Sequence, residues 1–242
     1  MIVCHEHKFI FVHLKRTSGR AITTALAPYL SDDDIVTPVH KASDDGRPAV
    51  AGRNCEGIGR HATALEIRDR VGRKVWDSYF TFAMERNPWD KTLSRYFAYL
   101  KKEGKVYRNL YSTVMRRKMP LEHWLRVRAW NGKLLGPRHY HLPNHFGCYT
   151  DEQGKVMVDF IARIENREEH LAEIGRRIGI PIETGVKVGT KIRADRGKPY
   201  TEWFHEPWTQ RLIERVFEKD LALLGYRFGE PFPTDWIEGR RG

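Results

Sequence analysis

Apolar residues fall along this chain in two patterns. Short, mostly apolar runs occur at Lys8–Leu14, Tyr79–Glu85 and Val156–Ile164. Each has strand length and β-prone composition, so each predicts a buried strand. Between them, apolar positions recur at helical spacing. Ala21–Leu30 places Ile22, Leu26 and Tyr29 on one side, and Asp90–Lys102 places Leu93, Tyr96, Phe97 and Leu100 along one stripe. Helices are also predicted over Ala62–Val71, Pro120–Trp130, Arg167–Ile178 and Pro207–Leu224, the last two closed by Gly179 and Gly225. Ser31–Gly59, rich in Asp, Gly and Pro, reads as a long irregular connection. Strands alternating with helices predict an α/β fold around a mainly parallel sheet.

No domain boundary is evident, so residues 1–233 read as a single domain, with Lys101–Phe146 as a basic helical insertion. Ile237-Glu238-Gly239-Arg240 spells a protease recognition site familiar from expression vectors, so 234–242 is set aside as a tag remnant.

Composition narrows the functional classes. Hydrophobic residues make up 40% of the 242, which excludes a disordered chain. No apolar run approaches the roughly 20 residues that span a bilayer. The start of the chain lacks a signal-peptide pattern, so a cytoplasmic location is expected. Cys4, Cys55 and Cys148 are odd in number and far apart, as in a reducing compartment. His139, His141 and His145 lack a carboxylate or thiol at supporting spacing, and no metal is expected.

Charge points to an anionic partner. Lys and Arg number 42 against 31 Asp and Glu, a net +11. The excess peaks between Lys101 and Arg138, where Glu103 and Glu122 are the acids among eleven bases. That stretch is either a solvated face or a wall of an anion cleft. A nucleic-acid binder fits the charge, but the chain has no zinc finger or aromatic RNA platform, and none is expected as partner.

Two motifs carry candidate chemistry. After the first strand, Lys15-Arg16-Thr17-Ser18-Gly19-Arg20-Ala21 turns into a helix. Such a turn offers backbone N–H groups, hydroxyls and cations at a helix N-terminus, the parts an oxyanion needs. It is not a Walker A loop, which argues against a P-loop kinase. After the second strand comes Arg86-Asn87-Pro88-Trp89-Asp90, with Ser94 inside the following helix. Arg86 and Ser94 suit a forked and a directional contact to one phosphate. Trp89, Trp124 and Trp130 read as core, with stacking on a sugar or adenine as the alternative.

Together these motifs resemble the sulfotransferases that use 3′-phosphoadenosine 5′-phosphosulfate (PAPS), in their carbohydrate-type branch and its bacterial relatives. The first turn looks like that family's Pro-Lys-Thr-x-Gly-Thr-Ser loop. Arg86-Asn87-Pro88 with Ser94 looks like its Arg-Asn-Pro…Ser element. Residues 158–166 and 220–228 resemble two further segments, so the likeness runs from Phe9 to Phe228.

The resemblance implies a P-loop-NTPase-like three-layer fold and sulfuryl transfer from PAPS to a hydroxyl, on a carbohydrate, glycoconjugate or small molecule, without a metal. It implies that Lys15, Arg16, Thr17, Ser18, Gly19, Arg20 and Ala21 hold the 5′-phosphosulfate. Arg86 and Ser94 would hold the 3′-phosphate, with Arg193 or Lys198 reaching it from a late basic loop. His61 is the implied base, with Glu56 as fallback. The loop departs from the family pattern. Arg16 stands on the catalytic Lys, Lys15 on the Pro, and Arg20-Ala21 on Thr-Ser. Either Lys15 or Arg16 then supplies the catalytic cation. A protein that binds PAPS or its desulfated product PAP without turnover is the alternative.

Overall fold

The computed structural model describes residues 1–39, 49–100, 119–135, 142–182 and 197–240. The chain forms two compact units. Met1–Arg86, His145–Gly189 and Thr234–Gly242 make the first, and Asn87–Asn144 with Thr190–Pro233 make the second.

The first unit is α/β, built on a six-stranded sheet flanked by helices. Its strands are β1 (Ile2–Cys4), β2 (Phe9–Val12), β3 (Ile35–Val36), β4 (Phe80–Glu85), β5 (Phe160–Arg163) and β6 (Ile237–Glu238), in the order β3-β1-β2-β4-β5-β6. The sheet is mixed, which corrects the expectation of a mainly parallel one. β2 pairs with β4, and β4 with β5, in parallel. The pairings β1–β2, β1–β3 and β5–β6 are antiparallel. The reason is local: only residues 5–8 join β1 to β2, with Lys8 at φ 50°. A link that short makes a hairpin, whereas parallel neighbours need a crossover of a dozen residues or more.

Helix α1 (Gly19–Leu26) follows β2, α2 (Ala64–Val71) and α3 (Arg73–Ser78) precede β4, α6 (Phe146–Tyr149) precedes β5, and α7 (Arg167–Ile178) follows it. Alternation along the strands puts Ile2, Phe9, Phe11, Phe82, Met84, Phe160 and Ala162 in one core cluster with Ile22 and Leu26 of α1 and Leu171, Ile174 and Ile178 of α7. The intervening Val3, Ile10, Val12, Ala83 and Ile161 are buried too, as expected of strands covered on both faces. Glu168 and Glu169 open α7 and Arg176 and Arg177 close it, each matching the local end of the helix dipole.

The segment that spells a protease site is built into the sheet. Ile237 pairs with Ile161, and Glu238 accepts from Arg177 Nη2 at 2.6 Å. A Cβ on Gly239 would lie 2.0 Å from the Val158 carbonyl oxygen, so the backbone approaches as only glycine allows. Arg240 then binds buried Asp159, with Nε 3.0 Å from Oδ1 and Nη2 3.0 Å from Oδ2. It also donates to the Trp76 carbonyl at 3.0 Å and lies over the Trp76 ring. Asp159 Oδ2 further accepts from the backbone and hydroxyl of Thr81 at 2.8 and 2.9 Å.

The second unit contains α4 (Pro88–Ala98), α5 (Leu121–Leu135), α8 (Pro207–Val216) and α9 (Glu218–Leu224), with a 3-10 turn at Tyr200–Trp203. Asn87 caps α4 by accepting from Asp90 N at 3.1 Å, and Pro88 fills the first turn where no N–H is needed. Lys91 is fully buried, 3.6 Å from Asp220 Oδ1 and over the Phe217 ring. The helix expected over Pro207–Leu224 is two helices, because Phe217 leaves helical geometry at φ −109° and ψ 19°. No Gly or Pro marks that break in the sequence. Trp89 and Trp124 are core residues, each 1% exposed, whereas Trp130 is 67% exposed.

Arg240→Ala leaves a buried carboxylate short of two donors. We expect a loss of about 1–3 kcal/mol of unfolding free energy. Urea denaturation reads it, and an unchanged midpoint would show that the segment adds nothing to the fold.

Candidate functional site

The turn after β2 lies at the carboxyl end of a central strand. From β2 the chain runs out to β3 at the far edge, then returns to β4 on the other side of β2. Such a reversal of strand order is where open α/β sheets bind ligands. Phe11 stacks on Phe82 with centroids 5.0 Å apart, and His13 stacks on Phe11 at 5.6 Å, so the strand delivers a buried imidazole to the start of the turn.

That imidazole shapes the turn. A Cβ on Gly19 would lie 2.0 Å from His13 Cδ2 and 2.1 Å from Nε2. The first residue of α1 is therefore glycine because the ring occupies the side-chain position. Between His13 and Gly19, Arg16 (φ 68°) and Ser18 (φ 64°) adopt left-handed backbone. Such geometry costs roughly 1–2 kcal/mol per non-glycine residue and concentrates at functional sites. Ser18 accepts from Ala21 N (2.9 Å) and Ile22 N (3.2 Å) through its carbonyl and makes no side-chain cap bond. The N–H groups of Gly19 and Arg20 open the helix and have no acceptor within it.

The expected site residues divide by placement. Lys15 and Arg20 are exposed, and Arg16 and Ser18 half-buried. Thr17 is fully buried, and its hydroxyl donates to the Leu14 carbonyl at 3.2 Å, leaving its backbone N–H as its remaining donor. Gly19 and Ala21 are buried. Arg86, 6% exposed, follows β4, and its Nη1 donates to the Arg16 carbonyl at 3.4 Å. The end of β4 is thereby tied to the turn. Ser94 is buried on α4 of the second unit. Lys198, in the same unit, donates to the Glu202 carbonyl at 2.8 Å and lies over the Trp203 ring. Arg193, His139 and His141 lie outside the described residues, as does most of the basic stretch before Arg138. Glu56 is exposed.

His61 meets the turn from before α2. Its Nδ1 lies 2.8 Å from the His13 carbonyl oxygen, and the two rings meet edge to face at 4.8 Å. A carbonyl only accepts, so Nδ1 carries the proton and Nε2 of neutral His61 keeps its lone pair. Partial burial, aided by the Lys15 ammonium, lowers the His61 pKa from 6.5, against the pull of the carbonyl contact. Burial pushes His13 well below 6.5. Both imidazoles are thus neutral at pH 7, and Lys15 lies close enough to His61 to be felt by it.

Two residues had no assigned role in the sequence. His13 read as part of a strand; its contact with Gly19 is tertiary and leaves no local pattern. Glu85, fully buried, sits 3.3 Å from His145 Nδ1, while its other oxygen accepts from Arg86 N at 3.0 Å. A separation of 60 residues along the chain hid that pair.

The fold defines an α/β protein with a mixed sheet and an imidazole-backed turn at its centre. The chain belongs to the same family as an uncharacterized protein of Archaeoglobus fulgidus, to which it is 36% identical over 129 residues, 52% of this chain and 90% of that protein. No family model and no solved structure matches the chain.

The histidines fix a pH dependence. His170, lowered from 6.5 by burial, accepts from Arg163 N and donates to the Thr234 carbonyl, so it too is held neutral. Where folded pKa values lie below the unfolded one, the unfolded chain takes up more protons, and stability falls as pH drops below about 6.5. We expect a lower urea midpoint at about pH 5.5 than at about pH 7.5. Equal midpoints would contradict neutral, buried imidazoles.

Proposed function

We propose that the chain transfers a sulfuryl group from PAPS to an acceptor hydroxyl, with β2, the turn and α1 acting as a P-loop-like cradle for the 5′-phosphosulfate. One observation carries the reading. A strained, cation-rich turn at the carboxyl end of β2 stands beside an imidazole whose Nε2 is unprotonated and whose neighbour is Lys15. The donor set suits an oxyanion: helix-start N–H groups and the cations Lys15, Arg16, Arg20 and Arg86.

In the reaction so read, the acceptor oxygen gives its proton to His61 Nε2 and bonds to sulfur. The bond from sulfur to the bridging phosphate oxygen breaks, and its electron pair leaves on PAP. Lys15 is the cation assigned to that developing charge, because it belongs to the turn and His61 feels its field. Arg16 cannot donate a proton, since guanidinium stays charged. Arg86 is assigned to the 3′-phosphate. A carbohydrate or glycoconjugate hydroxyl is the acceptor class the resemblance favours. A second reading, binding without turnover, draws on the inward-turned Thr17 hydroxyl and on Arg20-Ala21 in place of two hydroxyl donors.

PAP should raise the melting temperature where ADP does not, because a ligand of the folded state stabilises it by mass action. Arg86→Ala should weaken PAP binding by about 1.5 kcal/mol or more, with Arg86→Lys recovering part of the loss. His61→Ala should leave PAP affinity intact while abolishing transfer. PAP binding with no transfer to any hydroxyl acceptor would favour the second reading, and no PAP binding would overturn both.

A further inference from the structure

Helix α5 carries apolar residues on two opposite faces. At about 100° of rotation per residue, Leu121, Trp124, Leu125 and Gly132 gather on one side, all of them buried. Val127, Trp130 and Leu134 gather on the other, 45%, 67% and 63% exposed. All the large hydrophobic side chains exposed among the described residues fall in this single stripe. A helix with one packed face ordinarily turns a polar face to water. A clustered exposed apolar patch marks a surface that meets something.

The stripe is framed by cations. Exposed Arg126 and Lys133 run along one flank, and exposed His123 continues the stripe toward the helix start. The acid in residues 121–135 is Glu122, which lies 3.7 Å from His205 Nε2. Arg126 also stacks over the Trp208 ring, which holds its guanidinium at the edge of the patch.

We propose that this face of α5 docks on an anionic lipid bilayer. Tryptophan prefers the headgroup boundary, aliphatic side chains enter the acyl region, and flanking Arg and Lys meet lipid phosphates. A second copy of the chain fits less well. A two-fold contact through the stripe would set Arg126 and Lys133 of both copies against each other, on a protein already at +11. Nucleic acid fits less well again, because Val127 and Leu134 at the centre of the face offer nothing to a phosphate backbone. The docking goes beyond sulfuryl transfer and does not depend on it.

Co-sedimentation with vesicles tests the assignment on the full chain. Vesicles containing about one third phosphatidylserine should bind it, and phosphatidylcholine alone should bind it weakly, since the anionic surface supplies the attraction. Trp130→Ser with Leu134→Ser should cut partitioning by about ten-fold or more, the expected loss of two inserted apolar side chains. Arg126→Gln with Lys133→Gln should cut it at least as far, at about five-fold per cation. High salt should reproduce the second effect and not the first. Both variants should melt with the parent, because the changed residues are exposed. A second readout avoids any question of folding: brominated lipid in the anionic vesicles should quench tryptophan emission of the parent more than that of Trp130→Phe. Absent binding, equal binding by parent and variants, or equal quenching would overturn the proposal. So would a lipid-independent dimer that the Trp130→Ser, Leu134→Ser variant dissolves.

Discussion

The ring of His13 occupies the space that a side chain at residue 19 would need, and the geometry of the turn follows from that contact. With the ring pressed on the first residue of α1, five residues must carry the chain from strand to helix around an immovable group. Arg16 and Ser18 take left-handed backbone to do so. The strain of roughly 1–2 kcal/mol at each is held by what surrounds it. His13 is itself pinned by the stacked Phe11 and Phe82 rings. The same residue sends its carbonyl to His61 Nδ1. One strand-end histidine thus sets the shape of the turn with its side chain and the tautomer of the neighbouring imidazole with its backbone.

Electrostatics at the turn work in one direction until something anionic arrives. Burial keeps His13 deprotonated, and burial with the Lys15 ammonium does the same for His61. The buried carboxylate of Glu85 meets His145 and the Arg86 amide. An anion on the turn would oppose the field of Lys15 and raise the proton affinity of His61. On the proposed reading, that change falls when the imidazole must accept the acceptor's proton, so co-substrate binding would prepare the base.

Elements with long, self-contained patterns were legible in the sequence. The run ending at Glu85 is β4 almost to its bounds, and Arg167–Ile178 with its Gly179 stop is α7. Both carry their signal locally, as an apolar run or as helical spacing with a left-handed glycine. The three-residue β1 and the two-residue β3 and β6 were not legible, because two or three residues have no period and form strands only through a partner. The mixed sheet was missed for the same cause, since those short strands supply the antiparallel pairings of the six-stranded sheet. At the site, the cation-rich turn and the placement of Arg86 were readable as residue types. The inward hydroxyl of Thr17 and the His13–Gly19 contact were not, because each depends on which atoms fold back on the turn.

The position of the site depends on how the sheet ends. β2 and β4 are the two middle strands, each hydrogen-bonded on both sides. That placement exists because β1 and β3 cover one edge and β5 and β6 the other. The far edge is secured by side chains as much as by backbone: Arg177 joins Glu173 and Glu238 while lying over the Phe80 and Phe160 rings, and Arg240 grips Asp159. An open edge at β5 would leave that strand's outer N–H and C=O groups unpaired and β4 one strand from solvent. Residues at the end of the chain therefore help to hold rigid the strand from which Arg86 emerges, a condition for any group that must meet a ligand with ångström accuracy.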